Sequence, residues 1–157
     1  MNPSKKNGYF SDHVSIVTDS YFQLTGCQIS FKDQQNEAGT GFAEMIFNAP
    51  FALVSHGTEN EPIFNYANKT AMRLFNMTWD EITALPSKYS AETPNRQQRS
   101  QLLQEVKENG YIENYSGVRI AKGGQRFYID QATVWNLTDT TGAYYGQAAM
   151  FSHWRFL

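Results

Sequence analysis

Three strand-like segments joined by two hairpin-length turns occupy the last third of the chain, and they limit the fold more than any other feature. The segments cover residues 111–122, 126–137 and 143–154. Gly123-Gly124 joins the first two, and residues 138–142 join the last two. Both links have the length and residue types of β-hairpin turns. Strands joined in this way are antiparallel neighbours, so the pattern predicts a three-stranded meander.

Two shorter strand-like runs come earlier, at residues 51–55 and 63–67, on either side of the turn-rich stretch HGTENEP. Short helical segments over 70–75 and 78–85 follow this hairpin. A longer helix over 96–108 precedes the meander. The order predicts an α+β fold in which a five-stranded antiparallel sheet carries helices on one face.

The N-terminal quarter has a different pattern. Apolar residues recur at helical spacing from Ser11 and predict a helix over 11–30. A polar linker over 33–41 and a short helix over 42–48 follow. The polar residues 1–10 are predicted to be disordered. The chain thus divides into a disordered N-terminus (1–10), an N-terminal helix with its linker (11–41) and a main domain (42–157).

Composition limits the partners that this chain is expected to have. The 157 residues suit one hydrophobic core, and the formal net charge of -2 provides no basic field for a nucleic acid. No apolar run is long enough to span a bilayer, and the N-terminus has no secretory apolar region. Cys27 is the only cysteine, so no intrachain disulfide forms. We therefore expect a cytoplasmic protein that binds neither nucleic acid nor membrane.

Motifs of the common enzyme classes are missing from the sequence. It has no GxSxG, P-loop or dinucleotide-binding glycine motif, and its carboxylates are scattered. The three histidines, His13, His56 and His153, lack metal-ligand spacing. We therefore expect no enzymatic activity and no metal site.

Three stretches of the chain resemble one known family. They are FNAPFALVSHGTENEPIFNYAN (47–68), YSGVRIAKGGQRFYIDQATVWNL (115–137) and GQAAMFSHW (146–154), and DSYFQLTG (19–26) also fits. They resemble the MEKHLA domain, a PAS-related family found at the C-terminus of plant class III homeodomain-leucine zipper proteins and as stand-alone bacterial proteins. The resemblance covers almost all of the chain from Ser11. It implies a PAS-like fold for residues 42–157 and a sensory role.

Two functions are compatible with this resemblance. One is a sensory module that binds a small molecule between the sheet and the helices and signals through a partner or a dimer. The alternative is a ligand-free interaction module. In that case the N-terminal helix and the outer sheet face would form a homodimer interface.

Side chains alternate between the two faces of a strand, and this alternation predicts which residues face a ligand. In 126–137, one face carries Phe127, Ile129, Gln131, Thr133 and Trp135, and we expect this bulkier face to point inward. The polar Gln131 and Thr133 would then need partners, either a ligand or an internal hydrogen-bond network. Trp135 would either line the pocket or fill the core.

Pairing across the Gly123-Gly124 turn adds Tyr115 and Arg119 to the same inward face. An inward guanidinium needs an acidic or carbonyl partner. Arg119 is therefore expected either to clamp an anionic ligand or to pair with an internal acid such as Asp130 or Glu113. His56, at a strand end, is expected to bond a loop or a ligand. The full set of candidate ligand-binding residues is His56, Asn65, Tyr115, Arg119, Gln131, Thr133 and Trp135.

The cofactor is not identified by the sequence. The resemblance to PAS domains implies that a covalently bound flavin would need a cysteine within residues 84–90, where none occurs. An axial haem histidine is likewise missing from residues 87–110. These observations argue against cysteinyl-flavin and haem, whereas the aromatic residues permit a non-covalent flavin or another small molecule.

Overall fold

A computed structural model of the protein describes residues 1–29 and 40–157. The chain begins with a 3-10 helix, Lys5–Phe10, which leads directly into the helix α1. The remaining elements, in chain order, are α1 (Ser11–Thr25), α2 (Thr40–Phe47), β1 (Ala52–His56), β2 (Phe64–Ala67), α3 (Lys69–Phe75), α4 (Trp79–Ile82), a 3-10 helix (Ser87–Ser90), α5 (Thr93–Asn109), β3 (Tyr111–Ile120), β4 (Arg126–Thr138), β5 (Tyr144–Phe151) and β6 (His153–Phe156).

The strands form one antiparallel sheet in the order β2-β1-β5-β4-β3. The predicted five-stranded antiparallel sheet with its terminal meander is confirmed. The third meander segment is divided at Ser152 into β5 and β6. The short β6 pairs with the beginning of β4, where Phe127 lies opposite Phe156 and Asp130 opposite His153.

Both faces of the sheet are covered. The inner face carries Val54, Phe127 and Phe151 and packs against side chains of α3 such as Leu74 and Phe75. The outer face packs against the N-terminal helices through a second cluster of buried residues, including Val14, Val17, Leu53, Trp135 and Leu137. The indole nitrogen of Trp135 donates to the carbonyl oxygen of Val17 at 3.1 Å, which ties α1 to the sheet.

A β-bulge at Gln131 allows the single strand β4 to contribute side chains to the buried clusters on both faces of the sheet. Gln131 has φ 54, in the left-handed region, and its neighbours pair out of step, with Tyr115 opposite Ala132 but Gly117 opposite Ile129. One extra residue reverses the side-chain alternation of everything that follows it. Phe127 and Ile129 therefore point inward before the bulge.

After the bulge, Trp135 and Leu137 point outward beneath α1. The sequence prediction continued a single alternation through β4. Its inward placement of Gln131, Thr133 and Trp135 is therefore wrong. Gln131 is exposed, and Thr133 and Trp135 lie on the outer side of the sheet, since Ala132 and Val134 take the inward positions.

The N-terminal region also differs from the sequence prediction. Residues 5–10 form a 3-10 helix, in which the Tyr9 hydroxyl donates to Glu44 Oε1 at 3.0 Å and Phe10 stacks on Trp79. Helix α1 ends at Gly26, whose φ of 74 is easily adopted only by glycine. Of the predicted linker over 33–41, residues 33–39 lie outside the described part of the chain.

Asn68 joins three elements through its buried side-chain amide. Its Oδ1 accepts from the backbone nitrogens of Leu53 and Ala71, at 3.0 and 3.1 Å, and so caps α3. Its Nδ2 donates to the carbonyl oxygens of Phe51 and Ile46, at 2.8 and 3.2 Å. The amide therefore uses two donors and two acceptor positions to connect α2, β1 and α3.

We expect Asn68→Ala to lower the free energy of unfolding by about 2–4 kcal/mol, because it leaves buried backbone groups without partners and removes a helix cap. Denaturant titration followed by circular dichroism measures this loss. Asn48→Ala is the matched control, since exposed Asn48 bonds only within its own helical turn. Equal stability of the two variants would contradict the role given to Asn68.

Candidate functional site

A cavity of about 60 Å³ lies between the inner sheet face and the helices α3 and α5. Apolar side chains from both layers form most of its wall: Val54, Phe64, Phe75, Leu102, Ile129, Val134, Ala149 and Phe151. Its few polar wall groups come from His56, Ser90, Arg99, Tyr115, Arg119 and Gln147. Ligand pockets are lined in this way, mostly by apolar side chains with a few polar groups, although most of them are larger.

Arg119 reaches the cavity from β3 and is only 9% exposed. Its guanidinium donates to the Tyr115 hydroxyl at 3.0 Å and to the carbonyl oxygen of Val118 at 2.8 Å. Gly117 lies between the two residues, and a side chain there would bring its Cβ within 2.6 Å of the Tyr115 hydroxyl. The missing side chain at Gly117 therefore makes room for the Tyr115–Arg119 pair.

Arg99, a residue that the sequence interpretation missed, lines the same cavity from α5 and is 8% exposed. Its Nη2 donates to the Ser87 hydroxyl at 2.8 Å. Burial, followed by the charge of Arg119, lowers the pKa of Arg99 to about 10, so the Arg99 guanidinium stays charged at neutral pH. The helical spacing of the sequence could have indicated that Arg99 points inward, because Arg99 lies on the same helix face as Leu102, Leu103 and Val106.

A chain of hydrogen bonds extends from Arg99 across the cavity rim. The Ser87 hydroxyl lies 2.8 Å from His56 Nδ1, and His56 Nε2 lies 3.1 Å from Gln147 Oε1. The Gln147 amide nitrogen donates to the carbonyl oxygen of Leu103 at 2.9 Å, which turns its oxygen toward His56. His56 is consequently the Nε2-protonated neutral tautomer, donating to Gln147 and accepting from Ser87.

This chain of bonds also marks an entrance. A surface cleft of about 420 Å³ adjoins the cavity, and His56, Arg99, Leu103 and Gln147 line both spaces. These four residues therefore lie where the cavity adjoins the cleft.

The structure brings only some of the predicted candidates together. His56, Tyr115 and Arg119 line the cavity. Asn65 accepts from the Ser55 hydroxyl and lies apart from the cavity wall. Gln131, Thr133 and Trp135 do not line the cavity, because the bulge shifts the alternation of β4.

The two internal acids considered as partners for Arg119 do not pair with it. Glu113 is exposed, and Asp130 Oδ1 accepts from the backbone nitrogen of Gln131 at 2.9 Å. Among the described residues, every ion pair lies at the surface and none includes Arg99 or Arg119. Two buried cations thus line one cavity without an internal carboxylate.

A second buried histidine lies on the opposite side of β1. His13 of α1 has its Nε2 2.9 Å from the Ser55 hydroxyl, and its ring stacks on Tyr66 at 5.6 Å. Burial lowers the pKa of His13 to about 4. The Tyr66 hydroxyl is buried without a hydrogen-bond partner in the described residues, and burial raises its pKa.

Residues 1–29 and 40–157 contain neither a metal-binding cluster nor a membrane-spanning helix. In this part of the chain, no group of three or more His, Cys, Asp or Glu side chains is arranged to hold a metal ion. Here too, no helix has the length and apolar character needed to cross a membrane.

The profile of the MEKHLA domain matches residues 11–156, nearly the whole chain. This protein belongs to the MEKHLA domain family. Two Arabidopsis thaliana proteins are similar to it over 146 residues, homeobox-leucine zipper protein ATHB-14 at 24% identity and ATHB-9 at 21%. Each match covers 92% of this chain but 17% of the relative, so the MEKHLA domain spans a small part of these proteins.

Solved structures similar to the MEKHLA domain include PAS domains. The PAS domain of a protein from Colwellia psychrerythraea has a TM-score of 0.62 at 14% identity and covers 74% of this chain and 94% of its own. The light-state dimer of the fungal blue-light photoreceptor Vivid has a TM-score of 0.57 at 13% identity, covering 85% and 89%. The predicted PAS-like fold is confirmed.

A flavin does not fit the cavity of this MEKHLA domain. Its volume of about 60 Å³ is far below the roughly 300 Å³ at which pockets begin to enclose drug-sized ligands. Cys27 is exposed beyond the end of α1 and does not line the cavity. The space instead suits a much smaller molecule.

We expect the stability of the domain to fall as the pH is lowered from about 6.5 to 4. Burial lowers the pKa of His13 and His56 to about 4, and the charge of Arg99 adds to the effect at His56. The unfolded chain keeps a histidine pKa near 6.5, so it binds more protons than the folded chain in this range. Proton binding therefore stabilises the unfolded chain relative to the folded one as the pH falls.

The loss is about 3 kcal/mol for each histidine, at roughly 1.4 kcal/mol per pKa unit. Urea titrations at several pH values measure it. His56→Gln should flatten the pH dependence, whereas exposed His153→Asn should leave it unchanged. A stability that does not vary between pH 6.5 and 4 would contradict the assignment of neutral, buried imidazoles.

Proposed function

We propose that this MEKHLA domain is a non-enzymatic sensory module that binds a small molecule in the cavity between the sheet and α5. In this proposal, the change caused by ligand binding is transmitted to a partner protein or to a second copy of the chain. PAS-like folds and the MEKHLA family support a sensory, regulatory role. We also propose a cytoplasmic location, which the single exposed thiol of Cys27 supports.

One observation carries the proposal, namely the concentration of buried polar groups around an otherwise apolar cavity. A core without a ligand role is normally filled by apolar side chains, because burying polar groups costs free energy unless each is bonded. Here Arg99, Arg119, His56 and Gln147 all line the same space. Their arrangement leaves a volume of about 60 Å³ within reach of four different polar side chains.

The adjoining cleft supplies a route for exchange. Because Arg99 and Leu103 lie on α5 and line both spaces, we propose that entry of a molecule displaces these two side chains. In this proposal α5 is the element that responds to occupancy, and the sheet is the fixed support.

We expect Ala149→Leu to abolish ligand binding, because Ala149 lines the cavity and a larger side chain would fill it. Differential scanning fluorimetry against a panel of small organic acids, amines and neutral metabolites measures binding to the full chain. Ala143→Leu, at an exposed position before β5, is the matched control. A panel that stabilises neither the natural chain nor Ala143→Leu would oppose the proposal.

A ligand-free dimerisation module is the second candidate function. Phe22 and Leu24, on the last turns of α1, are 49% and 36% exposed. Such neighbouring apolar side chains favour a contact with another surface. The outer sheet face itself is covered by α1 of the same chain, so this dimer would form through the solvent side of α1.

Sedimentation velocity on the full chain over a wide concentration range tests the dimer. We expect the natural chain to self-associate and Phe22→Ser/Leu24→Ser to remain monomeric, because the change removes the apolar contact. Tyr89→Ser, a change of an exposed aromatic residue elsewhere, serves as the control. A natural chain that stays monomeric throughout would remove this candidate.

A further inference from the structure

Two buried cations define the charge of the cavity. Arg99 and Arg119 are 8% and 9% exposed, and both line its wall. The hydrogen bonds that they donate go to neutral oxygens, those of Ser87, Tyr115 and Val118. No ion pair within residues 1–29 and 40–157 includes either arginine.

This arrangement is costly without an anion. A buried ion loses its hydration, and two ions of the same sign also repel each other. Entry of a negative charge therefore lowers the free energy of the site. The lowered pKa of Arg99 reflects both effects, burial first and the charge of Arg119 second. A planar guanidinium matches the two oxygens of a carboxylate, and two such groups can hold it from two sides.

The apolar part of the cavity wall favours a ligand whose remaining atoms form a hydrocarbon group. Apolar side chains such as Val54, Phe64 and Phe75 face the cavity on the side of the sheet and α3. A fully polar tetrahedral anion such as phosphate would leave oxygens against these groups without donors, which is unfavourable. A carboxylate with a short hydrocarbon body satisfies the cations and the apolar wall together.

We propose that the cavity binds a small monocarboxylate, with its carboxylate between Arg99 and Arg119 and its hydrocarbon body against the apolar wall. This inference rests on the proposed function, because it names the chemical class of the ligand at the same site. The volume of about 60 Å³ limits the body to a few carbon atoms.

The experiment titrates the full chain with sodium butyrate, with butyramide as the neutral analogue of the same shape and with inorganic phosphate. Isothermal titration calorimetry at constant ionic strength measures the affinities. Butyrate should bind at least about tenfold more tightly than butyramide, since bonds between charged groups are the stronger ones. Phosphate should bind more weakly than butyrate.

Variants then locate the bound carboxylate. Arg99→Gln and Arg119→Gln should each weaken butyrate binding by at least about tenfold. Arg126→Gln, which changes an exposed arginine outside the cavity, should leave it unchanged. Because the comparison of butyrate with butyramide uses the natural chain, it remains decisive even where an arginine variant fails to fold.

The outcomes separate the two proposals. Equal binding of butyrate and butyramide, with loss of both in Ala149→Leu, would overturn the carboxylate assignment and keep the cavity as a ligand site. Phosphate binding as tightly as butyrate, or butyrate binding that ignores both arginine changes, would likewise overturn the assignment. Panel ligands that bind Ala149→Leu as well as the natural chain would instead overturn the cavity as the site of the proposed function.

Discussion

The structure depends on one irregularity in the backbone of its longest strand. The bulge at Gln131 reverses the side-chain alternation of β4, so that Phe127 and Ile129 pack beneath α3 while Trp135 and Leu137 pack beneath α1. A regular strand would send all four large side chains to one face and leave the other core without them. The cavity follows from the same feature, because the small Ala132 takes the inward position next to the bulge.

Charge inside the cavity is the second organising feature. Arg99 and Arg119 come from α5 and β3, a helix and a strand that pack against each other, and line one space without an internal acid among the described residues. The surrounding bonds among Ser87, His56 and Gln147 keep the histidine neutral. The interior therefore carries an uncompensated positive charge beside hydrocarbon, a combination that water fills poorly and an amphipathic anion fills well.

Periodicity and turn residues in the sequence predicted the antiparallel sheet, the meander and most helices, because those signals are local. Tyr115, Arg119 and His56, three of the predicted candidates, line the cavity, although strand pairing is irregular next to Tyr115 and His56. The predicted positions of Gln131, Thr133 and Trp135 were wrong, because no local sequence signal indicates a glutamine with a positive φ within a strand. The polar Gln131 and Thr133 at supposedly inward positions were the available warning. Arg99 was missed because its neighbours on the helix read as an ordinary apolar face.

Strand β1 is buried along its whole length, from Ala52 to His56. His56 bonds to the cavity rim, and the adjacent Ser55 bonds to His13 of α1 on the other side of the sheet. Neither side of this strand has a layer of solvent that could absorb a displacement. Two adjacent residues of one buried strand thus join the rim of the cavity to the helix that covers the opposite face of the sheet.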